Sequence, residues 1–375
     1  MTYERPAYLD PGIKTQTVKM WFGPPVVVPV FDTPITPREN FRRAISRRDP
    51  VWFPNAVTDT QSVMANDVMG RSPTPGMQIH SDLGGRGAAE DYDFKDWFGA
   101  EWTWVCSAGG AMLKPGTKLL EDITVWERDL VWPDLSQWGF AEKADRYMKS
   151  VYDERKALTY DIGRGMTERL VSLLGGYTDG MLALATEPEA VRDFFDRYSG
   201  FVIDTFDAIN ALYPLDMVTL HDDWGAEKDT FFSERMMEEL VFEPTKRIID
   251  HIHSKEVLLE LHSCGNVTRF MPYIIEMGAD VAQLQRRAVD LPLMREKYGN
   301  KLGYCLGVEG VEPGKNPARE ELIAAIRKTL DIFAPGGGSY INVFSADPEL
   351  GWAALAETYY YGREKLEVSQ SFGAK

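Results

Sequence analysis

The sequence predicts an α/β protein, and within that class a (β/α)8 barrel preceded by an extended N-terminal arm. Two observations carry this. From about residue 135 onward, short apolar runs alternate with longer amphipathic ones, at the roughly 20 to 40 residues per unit that suit such a barrel. The short runs are almost continuously apolar, as strands of a parallel sheet covered on both faces must be. A length of 375 residues, 44% of them hydrophobic, is enough to bury the core this requires. The expected boundaries are 1–36 for the arm and 37–375 for the barrel, with a doubly wound open sheet as the alternative architecture.

The arm is rich in proline and aromatic residues, and "GPPVVVPVFDTP" is too interrupted for a helix. Helical signals begin at Thr36, a capping residue followed by Pro37 and Glu39 and then "NFRRAISRR". Between Pro50 and Asp134 the pattern is irregular, with short apolar runs such as "AEWTWVCS" between Gly-rich loops, and reads as insertion or lid material. Amphipathic periodicity then predicts helices over 142–158, 166–176 and 187–213. Strands are expected in "LDMVTLHDDWG", "VLLELHSCG", "ADVAQLQ", "KLGYCLGVEG" and "SYINVFS", with helices between them. Glycines in "EMG", "KYG" and "PGGG" supply helix stops.

A formal charge of −16 opposes phosphate backbones and anionic lipid, which excludes nucleic acid and membrane surfaces as partners. Neither a basic-then-apolar leader nor an apolar run long enough for a membrane helix is present. Three cysteines, Cys106, Cys264 and Cys305, give no disulfide framework. A cytoplasmic location is therefore expected.

In a parallel barrel the strand C-termini converge on one mouth, so polar residues there are the functional candidates. These are His221, Asp222 and Asp223 in "TLHDDWG", His262 and Cys264 in "ELHSCGN", Gln283 and Gln285 in "AQLQ", and Glu309 in "CLGVEG". Side chains two apart share a strand face, which pairs His262 with Cys264, and His221 with Asp223. Imidazole and thiolate are both zinc ligands, and a catalytic zinc takes about three protein ligands. The bland alternatives are a strand-end histidine beside a buried cysteine, and loop carboxylates of which one caps a helix.

At these residues the sequence resembles the uroporphyrinogen decarboxylase superfamily, which includes cobamide-dependent methyltransferases. The resemblance rests on "TPRENFRRAISRRDPVWFP", "DWFGAEWTW", "LLEDITVWERDLVWPD", "LATEPEAVRDFFDRY", "HDDWG", "FFSERMMEELVFEPTKRIIDHIHSK", "LHSCGN" and "APGGGSYI", in that order. It implies a barrel with its site at the strand C-termini. True decarboxylases of the family continue "PVWF" into an arginine-rich stretch that holds substrate carboxylates, whereas this chain continues "PNAVTDTQSV" without arginine. Family members that methylate coenzyme M bind zinc through a His-x-Cys pair and a later cysteine. His262 and Cys264 match the pair, but "APGGGSYINVFS" has no cysteine. Glu309 is the favoured third ligand, with Cys305 and Asp223 as alternatives.

The resemblance thus implies a zinc-dependent methyltransferase that moves a methyl group from an O-methyl substrate, aromatic methyl ethers included, or an N-methyl substrate to the Co(I) of a separate corrinoid protein. In that reading His221 and Asp223 are a proton donor and its orienter, or substrate anchors. The expected partners are the corrinoid protein and a small methylated compound, with a homodimer left open. The runners-up are a cofactor-free decarboxylase and a non-catalytic tetrapyrrole- or metal-binding barrel.

Overall fold

The structure, a computed structural model, describes residues 13–18, 26–65, 77–78, 91–107, 110–308, 317–343, 345 and 347–373. Seven parallel strands form its centre: β1 (Thr60–Ala65), β2 (Ala157–Ile162), β3 (Met217–His221), β4 (Leu258–Ser263), β5 (Val281–Leu284), β6 (Gly303–Leu306) and β7 (Tyr340–Ile341). Chain neighbours are sheet neighbours throughout, as βαβ crossovers dictate. The sheet curls on itself. Ile341 N–H donates to Pro54 O at 3.0 Å, and Asn55 bridges Ile341 in parallel, which joins the β7 edge to the chain entering β1. This is the expected barrel architecture, with seven parallel strands among the described residues.

Helices cover the outside because their apolar residues recur on one face. Pro188–Asn210 buries Val191, Phe194, Phe195, Tyr198, Val202, Phe206 and Ile209, at spacings of three and four. The cap at Thr36 forms as expected: its side chain accepts the Glu39 N–H at 3.1 Å and Pro37 opens the helix Pro37–Ile45. Among the predicted stops, Gly278 and Gly336 to Gly338 have positive φ, whereas Gly299 stays in the right-handed region. The helix expected over 142–158 stops at Ser150. Ala157 and Leu158 already belong to β2, where the Leu158 N–H is taken by the Asp216 carboxylate at 2.8 Å. A long-range partner here overrides the local periodicity.

Two additions stand over the barrel. The strands Thr15–Val18 and Val26–Pro29 pair antiparallel, and this hairpin leans on the C-terminal helix, where Trp352 donates to Val27 O at 2.7 Å and Phe31 stacks on Tyr359 at 4.6 Å. Within the irregular 50–134 region, Tyr92–Lys95, Glu101–Val105 and Gly110–Leu113 form an antiparallel meander. It is tied to the barrel by a buried ion pair, Asp96 with Arg169, at 2.8 Å. Among the described residues no helix is long and apolar enough to cross a membrane.

The segment that closes the barrel contains a buried carboxylate with a pH consequence. Asp59 accepts from Trp52 Nε1 at 2.8 Å and from Asn55 N–H at 3.2 Å. Burial, outweighing these hydrogen bonds, raises its pKa to about 6. The folded state therefore binds this proton more tightly than the unfolded chain, so the contribution is present below the unfolded value near 4 and is lost as pH rises to about 6. Asp59→Asn should flatten the fall in stability across that window, removing a slope worth at most about 3 kcal/mol. Denaturant titrations of both proteins at pH 4 and pH 7 measure it; parallel pH profiles would refute the assignment.

Candidate metal centre

In-register parallel pairing sets His221 beside His262, His262 beside Gln283, Gln283 beside Cys305, and Cys305 beside Tyr340. Because register partners on parallel strands point to the same side, these five residues form one rung across β3 to β7. The His221 and His262 rings stack with centroids 3.7 Å apart. His262 Nε2 faces Cys264 Sγ at 3.4 Å and Asp223 Oδ1 at 3.5 Å, and its Nδ1 is 2.6 Å from Gln283 Oε1. The loops that carry Asp223 and Cys264 lock together: Cys264 N–H donates to Asp223 Oδ1 at 2.7 Å and Asn266 N–H to Ala226 O at 2.7 Å. A Cβ on Gly265, at φ +74°, would meet the Gly225 carbonyl oxygen at 2.0 Å. Glycine is required there by contact and by conformation.

Of the two adjacent aspartates only Asp223 faces the site. Asp222 turns away and caps the helix Met166–Leu174, accepting from Thr167 Oγ1 at 2.5 Å and from the N–H groups of Thr167 and Glu168 at 3.1 and 2.9 Å. Such capping was the plain alternative for one carboxylate of "HDDWG". His221, Asp223, Cys264, Gln283 and Gln285 line a cavity of about 1390 Å³ at the strand C-termini, together with Trp102, Trp104 and Tyr177. Gln16 to Val18 of the N-terminal hairpin also line it.

Electrostatics distinguish the two histidines. Burial, with the adjacent His262 next, lowers the His221 pKa well below the usual imidazole value. Burial also opposes charge on His262, but its hydrogen bonds to Asp223 and Cys264 and the charge of Asp223 hold it well above that value. Asp223 in turn is lowered to about 2: burial works against this, and the His262 contact and the Cys264 amide overcome it. Without a metal, the pair therefore holds one proton, on His262, against an ionised Asp223.

Among the described residues, His221, Asp223 and His262 offer metal-ligand atoms within 4.8 Å of one another. The expected pair His262 and Cys264 approach each other at His262 Nε2, but Cys264 is not in the group. Cys305 lies two strands from His262, beyond Gln283, and is not in that group. Glu309 falls outside the described residues. Two acids were missed from sequence. Glu260 sits inside the barrel in mid-strand, and Glu168 lines the cavity with its Oε2 buried and without a hydrogen-bond partner. The period of two that joined His262 to Cys264 extends back to Glu260, and a charged residue inside "LLEL" was the available signal.

Residues 170–303 match the family model of uroporphyrinogen decarboxylase (URO-D). The chain resembles the uroporphyrinogen decarboxylase superfamily. Among solved structures, a methyltransferase from Methanosarcina mazei is similar in fold, with 13% identity, 69% of this chain and 73% of that chain covered, and a TM-score of 0.51. An L-ribulose 3-epimerase at 12% identity covers 65% of this chain and 84% of its own, with a TM-score of 0.35. A D-psicose 3-epimerase crystallised in the presence of D-fructose, at 13% identity, covers 62% and 83% with a TM-score of 0.34. No curated protein matches the chain. The URO-D match spans β3 to β5 and both loops that form the His262 centre.

In metal-free protein, imidazole NMR should show His262 titrating well above the ordinary histidine value and His221 well below it. Removing the neighbouring anion in Asp223→Asn should bring the His262 titration down by at least about one unit. An unmoved His262 would mean that Asp223 does not hold its proton.

Proposed function

We propose that the protein is a zinc-dependent methyltransferase that takes a methyl group from an O-methyl or N-methyl compound and passes it to the Co(I) of a separate corrinoid protein. The observation that carries this reading is the set of atoms around His262 Nε2. Cys264 Sγ at 3.4 Å and Asp223 Oδ1 at 3.5 Å each stand from Nε2 at about the separation of two ligands on one tetrahedral zinc, while the described residues whose ligand atoms all lie within 4.8 Å of one another are His221, Asp223 and His262. His262 and Cys264 would hold the ion. Asp223, an alternative to the favoured Glu309 in the sequence reading, would take the third position. A zinc ion there would supply a Lewis acid for negative charge on the leaving oxygen or nitrogen.

The protein's own residues account for the rest. His221, kept neutral beside His262, is available to exchange a proton with the leaving group. Asp223 draws positive charge towards Nε2 and orients the Cys264 loop through the Cys264 amide. Trp102 and Trp104 give the cavity an apolar wall suited to an aromatic ether. The cavity exceeds the roughly 300 to 1,000 Å³ usual for a small ligand, which suits a methyl donor together with an approaching corrinoid. Its lining carries five carboxylates, Asp153, Asp161, Glu168, Asp223 and Glu260, against Lys156 and Arg164. That balance disfavours a polycarboxylated porphyrinogen and with it the decarboxylase. The reading places residues 37–375 in the catalytic barrel, with the first 36 as its arm, in the reducing cytoplasm where Cys264 stays available.

Metal analysis should find about one zinc per chain in wild type and far less in Cys264→Ser. Equal contents would remove the centre. Incubated alone, the protein should leave methoxylated aromatics and methylamines unchanged; with a reduced Co(I) corrinoid protein it should demethylate one of them, read by the corrinoid absorption spectrum. Failure across such a panel, with carbon dioxide released from a carboxylated tetrapyrrole, would replace this reading with the decarboxylase.

A further inference from the structure

Behind His262 runs a buried chain of hydrogen bonds with a fixed direction. Glu260, two residues before His262 and inside the barrel, accepts from Tyr340 Oη at 2.6 Å, Thr219 Oγ1 at 3.0 Å and Gln283 Nε2 at 2.9 Å. An amide has one donating and one accepting end. With the donating end of Gln283 turned to the carboxylate, its carbonyl Oε1 must face His262 Nδ1, 2.6 Å away. A carbonyl only accepts, so Nδ1 must carry hydrogen. Nε2 also lies 3.6 Å from Cys305 Sγ, a thiol that can donate or accept, so the amide orientation is set by Glu260.

We infer that Gln283, anchored by Glu260, is a positioning residue that holds the hydrogen of His262 on Nδ1 and so reserves Nε2 as the atom offered to a metal ion. The first half stands on the hydrogen-bond geometry alone; the second rests on the zinc reading. The cost of a buried carboxylate fits this role. Packing alone would be served by an apolar residue at 260, whereas an acceptor at this point sets which way the amide turns. Groups behind a metal-binding histidine fix its ring and tautomer, and their loss typically weakens the metal 10- to 100-fold.

Two variants test it. Gln283→Leu removes the acceptor, and Gln283→Glu keeps an oxygen facing Nδ1. In ¹⁵N-imidazole spectra of wild type, metal-free or zinc-loaded, a His262 Nδ1–H resonance protected from solvent exchange is expected. It should vanish in Gln283→Leu and return in Gln283→Glu. Competition with a chromogenic chelator should show zinc bound about 10- to 100-fold more weakly by Gln283→Leu, with most of that loss recovered in Gln283→Glu. Thermal melting confirms that each variant is folded. An equally protected Nδ1–H in folded Gln283→Leu would overturn the positioning role, and unchanged zinc affinity would overturn its consequence for the metal. Should wild type bind no zinc, the function proposed above fails, while the Nδ1–H comparison still decides the role of Gln283.

Discussion

The register of the parallel strands is the constraint on which the site depends. Strands lie about 4.8 Å apart and side chains alternate faces, so sliding one strand by a single residue would turn its inward set outward. His221, His262 and Gln283 meet only because β3, β4 and β5 are aligned on one rung. Aspartates at the opposite end pin that alignment. Asp216, just before β3, exchanges backbone bonds with Leu158 and Leu258 and takes the Leu158 N–H and the Arg38 and Arg42 guanidinium groups on its buried carboxylate. Asp280, just before β5, bonds Leu259 and Gly303 through its backbone and Leu259 again through its side chain. The geometry at the mouth is thus set by carboxylates at the base.

Crowding acids into a low-dielectric barrel requires a separate solution for each one. Asp222 is satisfied by a helix N-terminus. Asp223 remains ionised because a protonated histidine and a backbone amide face it. Glu260 is supplied with three donors, yet burial still raises its pKa to about 7. Glu168 has no such supply, and burial together with the field of Asp223 raises it well above the carboxylate range. Neighbouring groups of one chemical type therefore differ in acidity, and Asp223, lowered to about 2, is the acid whose charge is favoured beside His262. That asymmetry suits the binding of a cation and explains why the two adjacent aspartates do not share a role.

Much of this was legible in the sequence because the relevant information is local. Period-two spacing put His262 with Cys264, the apolar runs located β3 to β7, and a Ser/Thr-Pro signal marked the first helix. What stayed hidden depends on distant partners. The first two residues of β2 were absorbed into a preceding helix because Asp216, 58 residues later, supplies the bond that makes Leu158 a strand residue. The choice between Asp222 and Asp223 turned on the approach of Gly165, whose position leaves no room for a Cβ beside the Asp222 side chain. Glu260 carried a visible anomaly, a charge in an apolar strand, but its meaning required Tyr340, 80 residues away.

The cavity joins two parts of different origin, and this divides chemistry from selection. Its floor is made of barrel residues held by ladder hydrogen bonds, where a displaced strand would disturb every neighbour. Its walls include Trp102 and Trp104 from the meander and Gln16 to Val18 from the hairpin, antiparallel pieces outside the parallel ladder. Asp96 is one such attachment: it joins Arg169 and also accepts from Trp102 Nε1 at 3.0 Å. Arg164, just before the helix that carries Arg169, lies over the Trp102 ring at 3.6 Å. The aromatic wall is therefore fastened to the segment that leads into the Asp222-capped helix. Substitutions in the meander can reshape the space above the rung without breaking it, so what the cavity admits can change there while the His262 cluster stays with the barrel.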